Sequence, residues 1–197
     1  MGTNGAGLSV LWTAIGNSDR PSHPTETVPT VVLLREVLQF ATLDGAVDYL
    51  RNAPRGVPNN FILSQPGAGL VNIEFTASRF TALHVPMGEV VHSNTMSLDR
   101  VMEDSDPIHI SGADNSTGRL IAMQAFMRDH RSAFEAFDVS AGEAALTQGD
   151  SFEEGGILND HTRASMVFGP ECGDMRIRFW DDSAAGFRHH RIPCLAG

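Results

Sequence analysis

The chain is expected to fold as an α+β protein, and three observations carry that expectation. Apolar residues alternate along Asn60-Phe61-Ile62-Leu63-Ser64 and again along Leu70-Val71-Asn72-Ile73-Glu74-Phe75, with the turn residues Pro66-Gly67-Ala68-Gly69 between them, which is the pattern of two antiparallel strands. Helical periodicity replaces alternation before and after this pair. The complete order, strand, two helices, several strands, helices, then a hairpin, is what an αββα sandwich requires.

The elements follow in turn. Leu8-Ser9-Val10-Leu11-Trp12-Thr13-Ala14-Ile15 carries β-branched and aromatic residues in near alternation and is expected as a core strand. Asn17 to Pro24 is rich in turn residues and is expected as a surface loop. Pro29 can open a helix, because the N–H it lacks has no partner in a first turn, and Val31, Leu34, Val37, Leu38 and Phe40 then recur near the helical period. Thr42 or Asp44 can cap a second helix with Ala46, Val47 and Leu50 on its buried side, and Pro54 ends it. After the meander, Phe80 to Val85 and Glu89 to His92 are expected to add strands, and the acidic stretch Asp99 to Asp106 to form a loop. Ser116 or Thr117 can cap a helix through Arg131, with Leu120, Ala122, Met123, Phe126 and Met127 on one apolar face, read as core rather than as a ligand groove. Phe134 and Phe137 continue the helical layer, and Gly142 to Leu146 is a shorter helix. Arg163 to Phe168 and Met175 to Trp180 form a hairpin through Gly169-Pro170-Glu171-Cys172-Gly173.

Composition narrows the function. A chain of 197 residues and 21.3 kDa suits one domain over 1–197 with room for two layers of sheet. A net charge of −10 and a pI near 5.1 argue against a nucleic-acid partner, since a phosphate-tracking surface needs clustered cations. The basic run Arg188-His189-His190-Arg191 is short. Every cation is an Arg, which excludes a lysine Schiff base or lysine nucleophile. No segment approaches the ~18 consecutive apolar residues of a membrane span, and no basic region precedes a hydrophobic run at Met1, so the cytoplasm is the expected compartment. Two cysteines make no disulfide framework. No metal is expected: His189 and His190 point apart on a strand, and His84 and His92 lack a third ligand at short spacing. Ser64, Ser97 and Ser165 sit in no nucleophile elbow, and Gly2-Thr3-Asn4-Gly5-Ala6-Gly7 has no strand before it to make a phosphate loop.

The stretch Glu89-Val90-Val91-His92-Ser93-Asn94-Thr95 places a small polar cluster at the end of an apolar run, a setting that suits a reaction site. An Asn held at a strand end can offer its side-chain N–H to a developing oxyanion. The alternative is a turn-forming Asn that caps the strand.

Gly2 to Val10, the helix-like region from Arg35 to Leu50, Asn60-Phe61-Ile62-Leu63, Ile73-Glu74-Phe75-Thr76, Val91-His92-Ser93-Asn94 and Thr162-Arg163-Ala164-Ser165 follow one another in an order that resembles the acyl-coenzyme A:6-aminopenicillanate acyltransferase family, also described as isopenicillin N acyltransferase-like. The resemblance runs from Gly2 to about Trp180 and covers the later part of that family's catalytic chain. It implies a four-layer αββα N-terminal-nucleophile (Ntn) hydrolase sandwich, N-terminally incomplete here. Self-cleavage in that family exposes a Cys as the new N-terminus, ahead of the stretch that begins in this chain at Asn4. Cys172 and Cys194 do not match the nucleophile's position, so the nucleophile is expected to be missing from this chain and the chain alone to be inactive.

The resemblance further implies that Asn94 serves the oxyanion hole and that Thr162 and Arg163 line the active site, Arg163 holding a substrate carboxylate through its forked donors. The plain alternative for Arg163 is a surface pair with Asp160. Thr13, Asn60, His92 and Ser93 are expected as supporting residues. Thr13 stands where many relatives carry Asn, while Ser93 and Thr95 stand where Thr and a second His are usual. Asn4, Asn60 and Glu74 also match, with the commoner task of satisfying buried backbone groups. The base is expected to be the free α-amino group of the nucleophile, whose unperturbed pKa is near ~7.7–8.0. No cofactor is implied. The expected partners are a small acyl-amide or acyl-coenzyme A substrate, the missing N-terminal segment, and further copies of the chain through open strand edges and an uncovered apolar face near Leu8 to Ile15. The alternative function is a non-catalytic sandwich that binds a small molecule or a protein.

Overall fold

The computed structural model describes residues 1–16, 19–98, 116–136, 138–149, 156–158, 162–169, 174–179 and 186–191. It is a mixed α+β structure with two compact units, Met1–Ala113 and Asp114–Gly197. The expected loop at Asp99 to Asp106, Phe137, Trp180, the hairpin turn at 170–173 and both cysteines lie outside the described residues.

In the first unit β1 (Gly2–Thr3), β2 (Ser9–Ala14), β3 (Asn59–Gln65), β4 (Gly69–Phe75) and β5 (Phe80–Val85) form an antiparallel sheet in chain order. Its centre is the expected meander. Gly67 and Gly69 take the positive φ values of 77° and 91° that close the β3–β4 turn, and the register runs from Gln65↔Gly69 to Asn59↔Phe75. Because strand side chains alternate between faces, Phe61, Leu63, Val71, Ile73 and Phe75 share one face with Leu8 and Val10. That face packs on the helices α1 (Thr30–Val37) and α2 (Leu43–Asn52), which contribute Leu33, Val37, Leu43, Ala46, Val47 and Leu50 to one buried cluster. Phe61 and Phe75 meet edge to face at 5.2 Å.

The helix-like region 35–50 is two helices, and side-chain caps explain the break. Asn4 donates from Nδ2 to the carbonyls of Leu38 (3.0 Å) and Phe40 (2.8 Å), holding the chain out of helix after α1. Thr42 then caps α2 by accepting from the Gly45 N–H at 3.3 Å. Thr42→Ala is expected to lower stability by about 1 kcal/mol, read as a shift in the denaturant midpoint at unchanged m-value. At the other end of α2, Arg55 donates from Nη1 to the carbonyls of Leu50, Arg51 and Ala53, satisfying groups the helix leaves open. The expected apolar face of α1 holds for Val37, which is buried, and for Leu34, Leu38 and Phe40, which pack against the core, and is corrected at its start, where Leu33 is buried and Val31 is 64% exposed. Four aliphatic residues in a row, Val31 to Leu34, leave the phase open until the sheet selects it.

Two further expectations change. Glu89 to His92 is not a strand; the backbone leaves the sheet after Val85, ahead of Gly88 at φ 129°. The region Leu8 to Ile15 is covered for the most part, since β2 pairs with β1 and β3 and Leu8, Val10 and Ile15 are buried, while Leu11 and Trp12 are 43% and 40% exposed.

The second unit contains α3 (Ser116–Asp129), α4 (Arg131–Glu135), α5 (Val139–Ala145) and a three-stranded antiparallel sheet of β6 (Ala164–Gly169), β7 (Asp174–Phe179) and β8 (Arg188–Arg191). The first helix stops at Asp129, two residues short of the expected Arg131. There Phe126 stacks on His130 at 4.0 Å, and the His130 Nδ1 contacts the Phe126 carbonyl at 2.9 Å. Its expected apolar face is half-buried. Asp138 caps α5 through the Ser140 N–H at 2.8 Å. The basic run 188–191 is an edge strand on which His189 pairs with Arg176 and His190 with Met175, so the two imidazoles lie on opposite faces as expected.

Candidate active site

The register of the first sheet sets Thr13 opposite Asn60, Asn60 opposite Glu74 and Glu74 opposite Thr81, a polar row across β2 to β5 on the face turned away from the helices. Glu74 is 2% exposed. A carboxylate so far from water needs donors, and the segment 91–98 supplies them. The Glu74 Oε1 accepts from His92 Nε2 (2.7 Å), from the Ser97 N–H (2.7 Å) and from Ser97 Oγ (2.9 Å), and Oε2 accepts from the Leu98 N–H (2.9 Å). Burial pushes this carboxyl up, and the bonds from His92, Leu98 and Ser97 more than reverse that, holding it below the ordinary carboxylate range.

This arrangement explains why 89–92 is no strand. The backbone N–H groups of Ser97 and Leu98 bond a side-chain carboxylate instead of a neighbouring strand, and the chain folds over the end of the sheet. Asn94 therefore sits in a loop rather than at a strand end. Its backbone carbonyl accepts from the Gly16 N–H at 3.3 Å and its Nδ2 donates to the Ala14 carbonyl at 2.9 Å, which moors the loop to the end of β2 beside Thr13. The Ser93 and Thr95 hydroxyls are 3.3 Å apart.

His92 is held on both sides. Its Nε2 faces Glu74, and its Nδ1 lies 2.5 Å from the Ser93 carbonyl oxygen, with the side chain 1% exposed. Both neighbours are acceptors, so neither ring nitrogen is placed to take a proton from a substrate, and His92 orients the loop instead. Asn60 donates from Nδ2 to Asn72 Oδ1 (2.5 Å) and to the Ile73 carbonyl (3.0 Å), while its own Oδ1 is buried without a partner among the described residues. At the neighbouring corner Asp19 accepts from the Thr76 hydroxyl, from Ser78 Oγ (2.6 Å) and from the Ser78 N–H (3.2 Å). Burial raises the Asp19 carboxyl, but these bonds, with the charge of Arg79, bring it below its ordinary value.

Of the expected site residues, His92 bonds the Glu74 carboxylate, Asn60 stands opposite Glu74 on β3 and Thr13 opposite Asn60 on β2, while Ser93 and Asn94 lie in the loop that follows His92. Thr162 and Arg163 belong to the second unit, just before β6, where Thr162 Oγ1 donates to the Ile157 carbonyl at 3.2 Å and Arg163 is exposed. Asp160, the alternative partner for Arg163, lies outside the described residues. Backbone satisfaction is the role seen for Asn4 and Glu74. The central position of Glu74 was not anticipated, although a signal was there: Asn72 and Glu74 occupy alternate positions of an otherwise apolar strand, which sets two polar groups on one face of a central strand. Among the described residues no group of three or more His, Cys, Asp or Glu is placed to hold a metal ion, and no helix is long and apolar enough to cross a membrane. Compared with models of known families and with curated proteins, the chain matches none.

Proposed function

We propose that this chain is the larger part of an Ntn-type amidohydrolase or acyltransferase acting on small acyl-amides, resembling the penicillin acyltransferase family, on a four-layer αββα sandwich to which another segment contributes the N-terminal Cys. The observation that supports the reading is that two of the residues singled out by that resemblance flank Glu74, His92 bonding its carboxylate and Asn60 standing opposite it on β3, while Asn94 moors the following loop to the end of β2 beside Thr13. In the proposed reaction the thiol attacks the amide carbonyl while the α-amino group takes its proton, and the Asn94 Nδ2 donates to the oxyanion of the tetrahedral intermediate. The amine leaves with the proton and a thioester remains, which water or a second amine resolves. The resemblance assigns to Thr162 and Arg163 the lining of an acyl or carboxylate pocket. Thiol, amine and oxyanion donors carry this chemistry with no cofactor.

A second reading, a non-catalytic scaffold that binds a small molecule or a protein, is favoured by one observation: Glu74 and His92 are saturated by bonds within the chain. An amide-cleavage assay separates the two. The chain alone is expected to release no amine above background from phenylacetyl, β-alanyl or penicillin-type amides. Joined to a segment that supplies an N-terminal Cys, it is expected to give a burst of amine. A burst from the chain alone that disappears in Cys172→Ala or Cys194→Ala overturns the assignment of the nucleophile. An inert joined chain favours the scaffold.

A further inference from the structure

Asn4-Gly5 is the one Asn-Gly pair in the chain, and it lies in the turn between β1 and β2. The Asn4 N–H donates to the Leu8 carbonyl at 3.0 Å, and the Asn4 carbonyl accepts from the Gly7 N–H at 3.1 Å. Its side chain uses its full bonding capacity. Oδ1 accepts from the N–H groups of Ala6 (2.9 Å) and Leu8 (3.0 Å), while Nδ2 donates to the carbonyls of Leu38 (3.0 Å) and Phe40 (2.8 Å). The N–H between these groups, that of Gly5, makes no hydrogen bond among the described residues, and Gly5 is exposed.

We propose that Asn4 is a site of spontaneous deamidation in the folded chain, and that the modification is a slow covalent switch on the junction of β1 with α1 and α2. The nucleophile is the Gly5 nitrogen, which no side chain shields and no hydrogen bond holds. As it bonds to the Asn4 Cγ, an electron pair of the side-chain carbonyl moves to Oδ1, where the Ala6 and Leu8 N–H groups stand as an oxyanion hole would. The carbonyl then reforms and expels Nδ2 as ammonia, which carries off the proton lost by the Gly5 nitrogen. Water opens the resulting succinimide at Cγ to give aspartate, or at the main-chain carbonyl to give isoaspartate. The sum is one water consumed and one ammonia released. The competing reaction, attack of Nδ2 on the main-chain carbonyl with cleavage of the chain, needs the nitrogen that the Leu38 and Phe40 carbonyls hold. Deamidation removes both of those bonds, because a carboxylate has no N–H to donate. It also sets a negative charge against the carbonyl of Leu38, the C-cap of α1, at the negative end of that helix. Isoaspartate lengthens the main chain inside the turn as well.

Incubation of the folded chain in mildly alkaline buffer, followed by peptide mapping with mass spectrometry and an isoaspartate methylation assay, tests this. Aspartate and isoaspartate are expected to accumulate at position 4, while Asn72 and Asn94, each followed by a β-branched residue, stay intact. Gly5→Val shields the nitrogen and is expected to abolish the modification. Modified and unmodified wild type, separated by charge, are then unfolded in denaturant, and the modified chain is expected to have the lower midpoint at unchanged m-value. That comparison uses protein altered after folding, so it does not depend on a variant that must first fold. Asn4 left intact in the folded chain but modified in the same chain in urea, cleavage between Asn4 and Gly5 in place of deamidation, or a midpoint unmoved by the modification overturns the proposal.

Discussion

Replacing Glu74 by Ala is expected to lower the stability of the first unit by roughly 1–3 kcal/mol for each buried donor left without its acceptor. The change takes away the acceptor of four bonds, and the His92 ring, whose side chain is 1% exposed, loses its partner where water cannot replace it, whereas the exposed Ser97 can turn to solvent. Glu74→Gln keeps the shape and one acceptor oxygen and is expected to fall between wild type and Glu74→Ala. A double-mutant cycle with His92→Ala should show strong coupling, since the two residues share a bond. The pH dependence has a definite sign. The folded-state pKa of Glu74 lies below its ordinary value of 4.5, so its contribution is present above that value and is lost as pH falls through the folded pKa. Asp19, lowered as well, adds to the same acid limb. Denaturant unfolding between neutral pH and the acid range should show a decline that is shallower in Glu74→Gln. Equal acid sensitivity in both proteins would place the titrating groups elsewhere.

In the joined, amide-cleaving form, Asn94→Ala is expected to reduce kcat by roughly 10²–10³ with KM nearly unchanged, as for a donor used mainly in the transition state. Asn94 also moors its loop through the Ala14 carbonyl, so a drop in activity alone leaves both roles open. Asn94→Asp keeps the size of the side chain and the backbone bond to the Gly16 N–H but loses both the donor for an oxyanion and the bond to the Ala14 carbonyl, so its kcat should fall about as far as that of Asn94→Ala, and an unfolding midpoint close to that of the wild type assigns the loss to the oxyanion role rather than to the mooring. A loss confined to KM would make Asn94 a substrate-binding residue, and full kcat in Asn94→Asp would remove it from the oxyanion hole.

Much of the first unit was legible in the sequence wherever the determining interaction is local. The β3–β4 meander follows from alternation on either side of a Pro-Gly turn, and α2 follows from the Thr42 cap and Pro54. β5 and the second hairpin strands are likewise local patterns. Of the residues expected at a site, His92 bonds the Glu74 carboxylate and Thr162 and Arg163 fall in the second unit, while Asn94, expected at a strand end, lies in a loop because that strand does not form.

By itself, the sequence determined the strand and helix alternation of the first unit, the residues available to its core, and the absence of lysine chemistry. Tertiary structure alone decided which face of α1 is buried, because four aliphatic residues in succession fit more than one phase and only contact with the sheet distinguishes Leu33 from Val31. It also decided the course of 89–98. Val90, Val91 and their neighbours have strand-like character, but the donors at His92, Ser97 and Leu98 meet a buried carboxylate on β4, remote in sequence, whose need for partners outweighs that local preference.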